Sequence, residues 1–222
     1  MKLVSAVMPT RGRCEYAAHA VESFFAQVYP DKELVIADDG DDPSFPNGIT
    51  GDGIRYYCSS VSLRFQIPAK RNQCNTLAQG EIIVHWDSDD WSTPERIAYQ
   101  VARLEESGKA VTGFNTLLFH EPSSGRNFEY RSNSSYACGS SLMYRKSWWT
   151  SHPFMESKPI ASDNPFVYAA ARAKELDTVI GERMLIARIH DGNTSPKARR
   201  GPNYVEVFEA LPEAFTGMAV PA

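Results

Sequence analysis

The stretch Glu81-Ile-Ile-Val-His-Trp-Asp-Ser-Asp-Asp-Trp91 joins an apolar run to a cluster of acids. Its apolar part has the composition of a buried strand, and three carboxylates follow within four positions, at Asp87, Asp89 and Asp90. Anions crowded at the end of a buried strand are costly unless a cation or several hydrogen-bond donors lie beside them. Carboxylate oxygens suit Mg²⁺ or Mn²⁺. The stretch therefore predicts a divalent metal site or, alternatively, an acidic turn in which Asp90 or Ser92 caps the next helix.

Length and composition narrow the class of protein. The chain has 222 residues, which suits one large domain. A net charge of −4 argues against a broad surface for nucleic acid or membrane, although Lys197, Arg199 and Arg200 form one dense basic patch. Four scattered cysteines without a Cys-x-x-Cys pair predict reduced thiols and a cytoplasmic protein. No apolar run approaches the roughly 20 residues that span a bilayer, so we expect no transmembrane segment.

Apolar runs and helical patterns alternate in the first half of the chain. The runs cover residues 3–8, 34–37 and 82–86. Runs that are apolar on both faces are typical of a parallel sheet covered by helices, so this half predicts a Rossmann-like α/β arrangement. From residue 110 the pattern changes, and residues 111–119 and 128–131 predict antiparallel strands. The predicted fold class is α/β, with a mostly parallel central sheet and a mixed second half that contains a small antiparallel sheet.

Further elements follow from local patterns. Ser92-Thr93-Pro94-Glu95 predicts a helix start, with a capping hydroxyl and a proline in the first turn. Residues 139–144 predict a strand, residues 164–174 a helix, and residues 184–189 a last apolar strand. The polar segment 190–204 predicts a loop.

Polar residues follow each predicted strand of the first half. Pro9-Thr10 follows the first strand and Asp38-Asp39-Gly40 follows the second. Ligands of open parallel sheets gather beyond the carboxyl ends of the strands, so we expect these residues to share one rim with the acidic stretch. Asp39 is then either a turn residue or an acceptor of hydrogen bonds from a nucleobase imide or a ribose hydroxyl.

Three other positions have both a structural and a functional interpretation. Lys70-Arg71-Asn72 starts a predicted helix, where it is either a solvated face or a binding site for a phosphate-bearing ligand. His190 follows the last predicted strand and is either a structural residue or a further metal contact. Asp163 lies at a helix entrance, and nothing local distinguishes a capping carboxylate from a catalytic base.

Four ordered blocks of the sequence have the separations of one enzyme family. They are Val7-Met8-Pro9-Thr10-Arg11-Gly12-Arg13, residues 20–29 leading into 34–40, residues 69–72 with 77–81, and Asp87-Ser88-Asp89-Asp90-Trp91. Together they resemble family 2 glycosyltransferases of the GT-A fold, over roughly residues 3–195. The resemblance implies a single GT-A domain over 1–222, with residues 1–108 as the nucleotide-sugar-binding half and residues 109–222 as the acceptor-binding half.

The resemblance also implies roles for individual residues. The implied donor-binding residues are Pro9, Thr10, Arg13, Asp39, Arg71, Asp87 and Ser88. Asp39 would face a uracil-type base, and Arg71 would lie near the base and the phosphates. Asp89, in the Asp-x-Asp motif, would hold a divalent cation, Mn²⁺ or Mg²⁺, and His190 would complete the metal contact. Asp163 would be the catalytic general base.

The implied chemistry is inverting transfer of a sugar from a nucleotide-sugar donor, UDP-linked rather than GDP-linked, to an acceptor hydroxyl. A metal that bridges the diphosphate offsets charge on the leaving group, and Asp163 takes the proton of the acceptor. Two positions depart from the family pattern. Ile67-Pro68 stands where a glycine is common, and Ser162 replaces the usual Glu.

Two alternatives belong to other functional classes. A Mg²⁺-dependent nucleotidyltransferase also uses clustered aspartates and a nucleotide. A catalytically silent nucleotide-sugar binding module is suggested by Ser162. The acceptor stays open among a growing glycan, a lipid-linked sugar, a protein side chain and a modified nucleobase approached through the patch from Lys197 to Arg200.

Overall fold

The computed structural model describes residues 1–12, 14–40, 51–58, 66–181, 183–193 and 203–216. The strands are β1 (Val4–Thr10), β2 (Lys32–Asp38), β3 (Ile54–Cys58), β4 (Ile82–His85), β5 (Trp91–Ser92), β6 (Val111–Phe114), β7 (Thr116–Glu121), β8 (Arg126–Arg131), β9 (Met143–Arg145), β10 (Leu176–Val179), β11 (Leu185–Arg188) and β12 (Tyr204–Val207). The helices are α1 (Cys14–Phe25), α2 (Ile67–Leu77), α3 (Arg96–Ser107), α4 (Lys146–Ser151), α5 (Asp163–Arg172) and α6 (Glu213–Thr216), and Gly139–Ser141 forms a short 3-10 helix.

The larger sheet has seven strands in the order β10-β6-β9-β4-β1-β2-β3. Its neighbouring strands run parallel, except β9, which is antiparallel to both β4 and β6. Alternate residues of each strand face opposite sides, so Met8 packs with the α1 and α3 side chains, whereas Val7 packs with those of α2 and α5. Both faces are therefore covered by helices, which confirms the predicted mostly parallel α/β sheet.

The smaller sheet has five strands in the order β12-β8-β7-β11-β5. β7 and β8 form the expected antiparallel pair, and Gly125 adopts a φ of +67° in the turn between them. The prediction of one strand over residues 111–119 was wrong. The chain breaks at Asn115, whose N–H donates to the Val179 carbonyl, so β6 joins the larger sheet and β7 the smaller one. The larger sheet thus includes strands from beyond residue 108, and the functional division there stays a prediction.

The helix start at residues 92–95 was also predicted wrongly. Trp91 and Ser92 form β5, because Trp91 pairs with Ile186 of β11, and α3 begins only at Arg96. The structure shows no side-chain cap at the Glu95 N-cap. Asp90 is not the N-cap either, since that residue is Glu95, and its Oδ1 accepts the backbone N–H of Arg188 at 3.2 Å.

Later elements agree in part with the sequence. The helix expected over residues 164–174 is α5, and the strand expected over 184–189 is β11. Residues 139–144 divide into the 3-10 helix and the start of β9. The loop prediction for 190–204 lies partly outside the described residues, and Tyr204 begins β12. Within the described ranges, no helix combines the length and the apolar character needed to cross a bilayer.

Candidate functional site

A cleft of about 280 Å³ lies at the carboxyl ends of β1 and β4. The predicted site residues that line it are Pro9, Arg71, Asp87, Ser88, Asp89 and Asp163. Two more are one hydrogen bond away: Thr10 Oγ1 donates to Ser88 Oγ at 3.1 Å, and His190 Nε2 lies 3.0 Å from Asp89 Oδ2. The strand ends therefore meet at one rim, as the alternating pattern predicted.

Each carboxylate of the acidic stretch has a different partner. Arg71 donates to Asp87 Oδ1 at 3.3 Å. Asp89 Oδ2 faces His190 and also accepts the Asn193 Nδ2 group at 3.3 Å. Asp90 turns away from the other two, toward the backbone of β11. The three acids are therefore directed to three separate contacts, which limits their mutual repulsion.

Arg71 is a buried cation on α2 that lines the cleft. Burial by itself lowers the pKa of this guanidinium, but the charges of Asp87 and Asp163 outweigh it, so the pKa is raised and the side chain stays protonated. Its Nε is buried and has no hydrogen-bond partner among the described residues. A buried donor without a partner is costly, which makes Arg71 a candidate for binding an anion in the cleft.

Asp39 is buried beside the site and does not line the cleft. Lys70 Nζ, itself buried, donates to Asp39 Oδ1 at 2.7 Å and to the Thr10 carbonyl at 2.9 Å. This ion pair fixes the end of β2 to the end of β1. The role of Asp39 toward a base stays a prediction, and Arg13 lies outside the described residues.

The three residues of the predicted cluster Lys70-Arg71-Asn72 each make different contacts. Lys70 pairs with Asp39 and Arg71 with Asp87. Asn72 instead accepts the Trp149 Nε1–H and the Phe154 N–H on its Oδ1, at 3.0 Å each. Only Arg71 therefore remains as an anion-binding candidate from this cluster.

Asp163 is the first residue of α5 and is half-buried in the cleft. The preceding Ser162 is the N-cap residue, and it makes no side-chain capping bond. Among the described residues, the Asp163 carboxylate has no hydrogen-bond partner of its own, so the capping interpretation has no support here. Gly139 leaves room for it, because a Cβ on Gly139 would lie 1.9 Å from Asp163 Oδ2.

Arg96 was not predicted as part of the site. It is fully buried beneath the acidic stretch and donates to the Ser92 hydroxyl and to the His85 and Ser140 carbonyls, each at 2.9 Å. Burial lowers its pKa to about 10, and the charges of Asp90 and Asp87 partly oppose that shift. In the sequence, Arg96 is a single arginine after the helix-start pattern. Nothing in that context distinguishes it from an arginine on the protein surface.

Arg188 is a second buried cation that the sequence analysis missed. Its NH1 donates to the Asp89 carbonyl at 2.9 Å, while its guanidinium carbon lies 4.6 Å from the Phe215 ring centroid and 6.0 Å from that of Tyr16. Burial lowers its pKa, and Asp90 is the largest opposing charge. With Arg96, it supplies the positive charge that three neighbouring carboxylates require.

Asp89 and His190, the predicted metal contacts, face each other beside the cleft. The backbone N–H of Gly192 donates to His190 Nδ1 at 3.1 Å, which assigns the ring proton to Nε2, facing Asp89. The 3.0 Å between Asp89 Oδ2 and His190 Nε2 is that of a hydrogen bond, and it also equals the separation of about 3.0 Å between two neighbouring octahedral ligands at about 2.1 Å from a metal. The ring of Tyr16 stacks on His190, with centroids 4.8 Å apart.

The described ranges contain no group of three or more His, Cys, Asp or Glu side chains placed to share a metal ion. The Asp89 and His190 pair fits an ion that takes its other ligands from phosphate and water, which is how Mg²⁺ is commonly bound. Metal binding at Nε2 would require the neutral tautomer that carries its proton on Nδ1, in place of the hydrogen bond from the Gly192 N–H.

Comparison with known proteins identifies relatives of the chain. It is 31% identical over 109 residues to WcaA of Escherichia coli (strain K12), whose name assigns it to colanic acid biosynthesis as a glycosyl transferase. It is 31% identical over 110 residues to EpsE of Bacillus subtilis (strain 168), which is named as a glycosyltransferase. Each match covers 47% of this chain, and the matched part spans 38% of WcaA and 39% of EpsE, less than half of either.

Solved structures share the fold at lower identity. S. aureus TarS 1–349 in complex with UDP-GlcNAc has a TM-score of 0.66 at 19% identity, over 86% of this chain and 60% of that one. The mannosyltransferase PcManGT from Pyrobaculum calidifontis, in complex with GDP-Man and Mn²⁺, has a TM-score of 0.64 at 13% identity, over 89% and 58%. The model of the family described as glycosyl transferase family 2 matches residues 5–155, more than half of the chain. The chain therefore belongs to glycosyl transferase family 2.

Proposed function

We propose that the chain transfers a sugar from a nucleotide-sugar donor to an acceptor hydroxyl, with a divalent cation and with inversion at the anomeric carbon. The observation that carries the proposal is the contact between Asp89 Oδ2 and His190 Nε2, 3.0 Å apart beside the cleft that Arg71 and Asp163 also line. A diphosphate could bridge an ion at Asp89 and the guanidinium of Arg71. Family membership supports the same reaction class.

We propose that the donor is a UDP-linked sugar, and a GDP-linked sugar is the alternative donor to test against it. One structural neighbour was solved with UDP-GlcNAc and another with GDP-Man and Mn²⁺, so both nucleotides occur on this fold. Both neighbours are below 20% identity to this chain, and neither determines its donor.

The residues of the chain perform distinct tasks in the proposed reaction. Arg71 binds the diphosphate through its unpartnered Nε and is oriented by Asp87. Asp89 and His190 hold the divalent ion, which supplies Lewis-acid stabilisation of the leaving diphosphate when bound. The Asp163 carboxylate receives the proton of the acceptor hydroxyl as that oxygen attacks the anomeric carbon. The new bond forms on the face opposite the nucleotide, so the configuration inverts.

The test is a donor screen that measures UDP or GDP release with Mn²⁺, for the wild type and for Asp163→Asn. We expect release from one class of donor in the wild type, reduced by about 100-fold or more in Asp163→Asn, because the amide cannot accept the proton. The affinity of Asp163→Asn for the nucleotide, measured by calorimetry, should stay within about threefold of the wild-type value, since the proposed role of Asp163 is toward the acceptor.

Other outcomes would contradict the proposal. Retained turnover in Asp163→Asn would show that this carboxylate is not the base. Release of diphosphate from nucleoside triphosphates, with no UDP or GDP formed from nucleotide sugars, would indicate nucleotidyl transfer. Binding of UDP without turnover on a broad acceptor panel would indicate a silent binding module.

A further inference from the structure

The cleft has two kinds of lining. Its charged side chains are Arg71, Asp87, Asp89, Asp90, Asp163 and Arg188. Strands β7, β8 and β12 of the smaller sheet contribute Leu117, Phe119, Tyr130 and Tyr204, none of which is charged, whereas Arg188 comes from β11 of the same sheet. Leu117 pairs with Tyr130 and Tyr130 pairs with Tyr204 across β7, β8 and β12, so these three side chains form one row on the sheet. These three strands therefore present an uncharged, largely aromatic surface to the cleft.

Tyr130, Tyr136 and Tyr204 form what we call the aromatic corner. The ring centroids of Tyr130 and Tyr204 are 5.0 Å apart with planes inclined at 58°, and those of Tyr130 and Tyr136 are 6.4 Å apart at 68°. All three rings are half-buried, and all three line the cleft. The three ring planes are therefore inclined to one another, and they do not lie parallel on two sides of a slot.

The aromatic corner is connected to the proposed base. The Tyr136 hydroxyl donates to Asn164 Oδ1 at 3.1 Å, and Asn164 directly follows Asp163 on α5. Asn164 lines the cleft, and its Nδ2 group has no partner among the described residues. An acceptor molecule on the aromatic corner would thus meet an amide donor and the Asp163 carboxylate on its polar side.

The shape of the corner selects one kind of occupant. Aromatic faces carry partial negative charge and attract the polarised C–H groups of a sugar ring. A chair-shaped sugar presents such groups in several directions and can contact two inclined rings. A flat nucleobase stacks fully on only one of them. A phosphate group would find no cation among the lining residues of β7, β8 and β12.

We infer that the aromatic corner binds a neutral sugar ring of the acceptor, whose free hydroxyl is presented to Asp163. The acceptor of the reaction is then a glycan or glycoside, bound through its terminal sugar. This inference rests on the proposed function, because it places the corner on the acceptor side of the same cleft.

The test uses saturation-transfer NMR with methyl glycosides of glucose, galactose and N-acetylglucosamine, in the presence of UDP and Mg²⁺. We expect at least one glycoside to bind. Tyr204→Leu should weaken its affinity about tenfold, and Tyr204→Phe should keep it within about threefold, because Phe retains the aromatic face and Leu does not. Phe208→Leu is the matched control, since Phe208 is 93% exposed and does not line the cleft, and it should leave affinity unchanged.

Three results would overturn the inference: no binding of any glycoside, equal affinity in the Leu and Phe variants, or binding of adenosine and thymidine in place of the glycosides. Thermal unfolding of each variant identifies a folding defect, and the pair Tyr130→Leu and Tyr130→Phe then replaces the first pair. Titration with UDP and Mg²⁺ separates the two proposals. Absence of UDP binding would contradict the proposed function, whereas UDP binding without glycoside binding contradicts only the acceptor assignment.

Discussion

At the scale of single residues, the position of Asp163 depends on a neighbour that has no side chain. Gly139 lies so close to the Asp163 carboxylate that a Cβ would meet Oδ2 at 1.9 Å and Cγ at 2.5 Å. Contacts below about 3 Å of this kind force something to move, here the carboxylate or the 3-10 helix of Gly139–Ser141. Gly139 therefore determines which positions the Asp163 carboxylate can occupy.

Gly139→Ala should lower kcat by about 100-fold, since a displacement of roughly 1 Å at a reacting group has that effect. The measurement is steady-state release of the nucleotide diphosphate, together with calorimetric affinity for UDP and Mn²⁺. Affinity for UDP should change little, because the new methyl group meets the Asp163 carboxylate and not the residues proposed to hold the donor.

The double variant Gly139→Ala with Asp163→Asn shows whether the effect passes through Asp163. If it does, the alanine should add little to the loss that the asparagine already causes. Fully additive losses would mean that Gly139 acts on another part of the cleft.

At the scale of elements, strands and helices of the first half were predictable because their apolar periodicity is strong. The strand predicted over residues 82–86 is β4, which ends within one residue of its prediction. The short β5 could not be predicted, because a two-residue strand has no periodicity and depends on pairing with β11, more than 90 residues later. The division between β6 and β7 at Asn115 likewise depends on partners far along the chain.

The contact of β11 with the acidic stretch also depends on such distant partners. Arg188, at the end of β11, donates from its backbone N–H to Asp90 and from its side chain to the Asp89 carbonyl. It thereby fixes the turn that carries the metal-binding candidate to the strand that leads to His190. Its planar guanidinium fills the space between Phe215 and Tyr16, which a lysine cannot do.

Arg188→Lys should therefore lower the free energy of unfolding by about 1–3 kcal/mol, because a buried charge-assisted hydrogen bond is lost. It should also weaken Mn²⁺-dependent UDP binding, since Asp89 loses its support. Urea denaturation followed by tryptophan fluorescence measures the first effect. Arg172→Lys, at an exposed arginine of α5, is the control and should change stability much less. Equal stability of the two variants would contradict this role of Arg188.

At the scale of the whole molecule, the sequence predicted which residues converge but not how they pair. Strand ends of a parallel sheet share one edge, so the meeting of Pro9, Asp87 and Asp89 followed from topology. The pairing of Asp39 with Lys70 did not follow, because it depends on where α2 begins relative to β2. The buried cations Arg96 and Arg188 were missed for the same reason, since nothing local shows that they are buried.

The central claim is that Asp89 and His190 hold a divalent ion that binds the nucleotide diphosphate. Calorimetric titration of UDP with and without Mn²⁺ tests it most directly, in the wild type, Asp89→Ala, His190→Ala and the control Asp191→Ala. Asp191 is an exposed carboxylate next to His190, so the control separates ligation from general charge.

We expect Mn²⁺ to strengthen UDP binding at least tenfold in the wild type and in Asp191→Ala, and to have no such effect in Asp89→Ala. His190→Ala should lose part of the Mn²⁺ effect on UDP affinity and keep the rest, because Asp89 remains as one of the two proposed protein ligands. An unchanged Mn²⁺ effect in Asp89→Ala, or a UDP affinity in the wild type that does not depend on Mn²⁺ or Mg²⁺, would contradict the account.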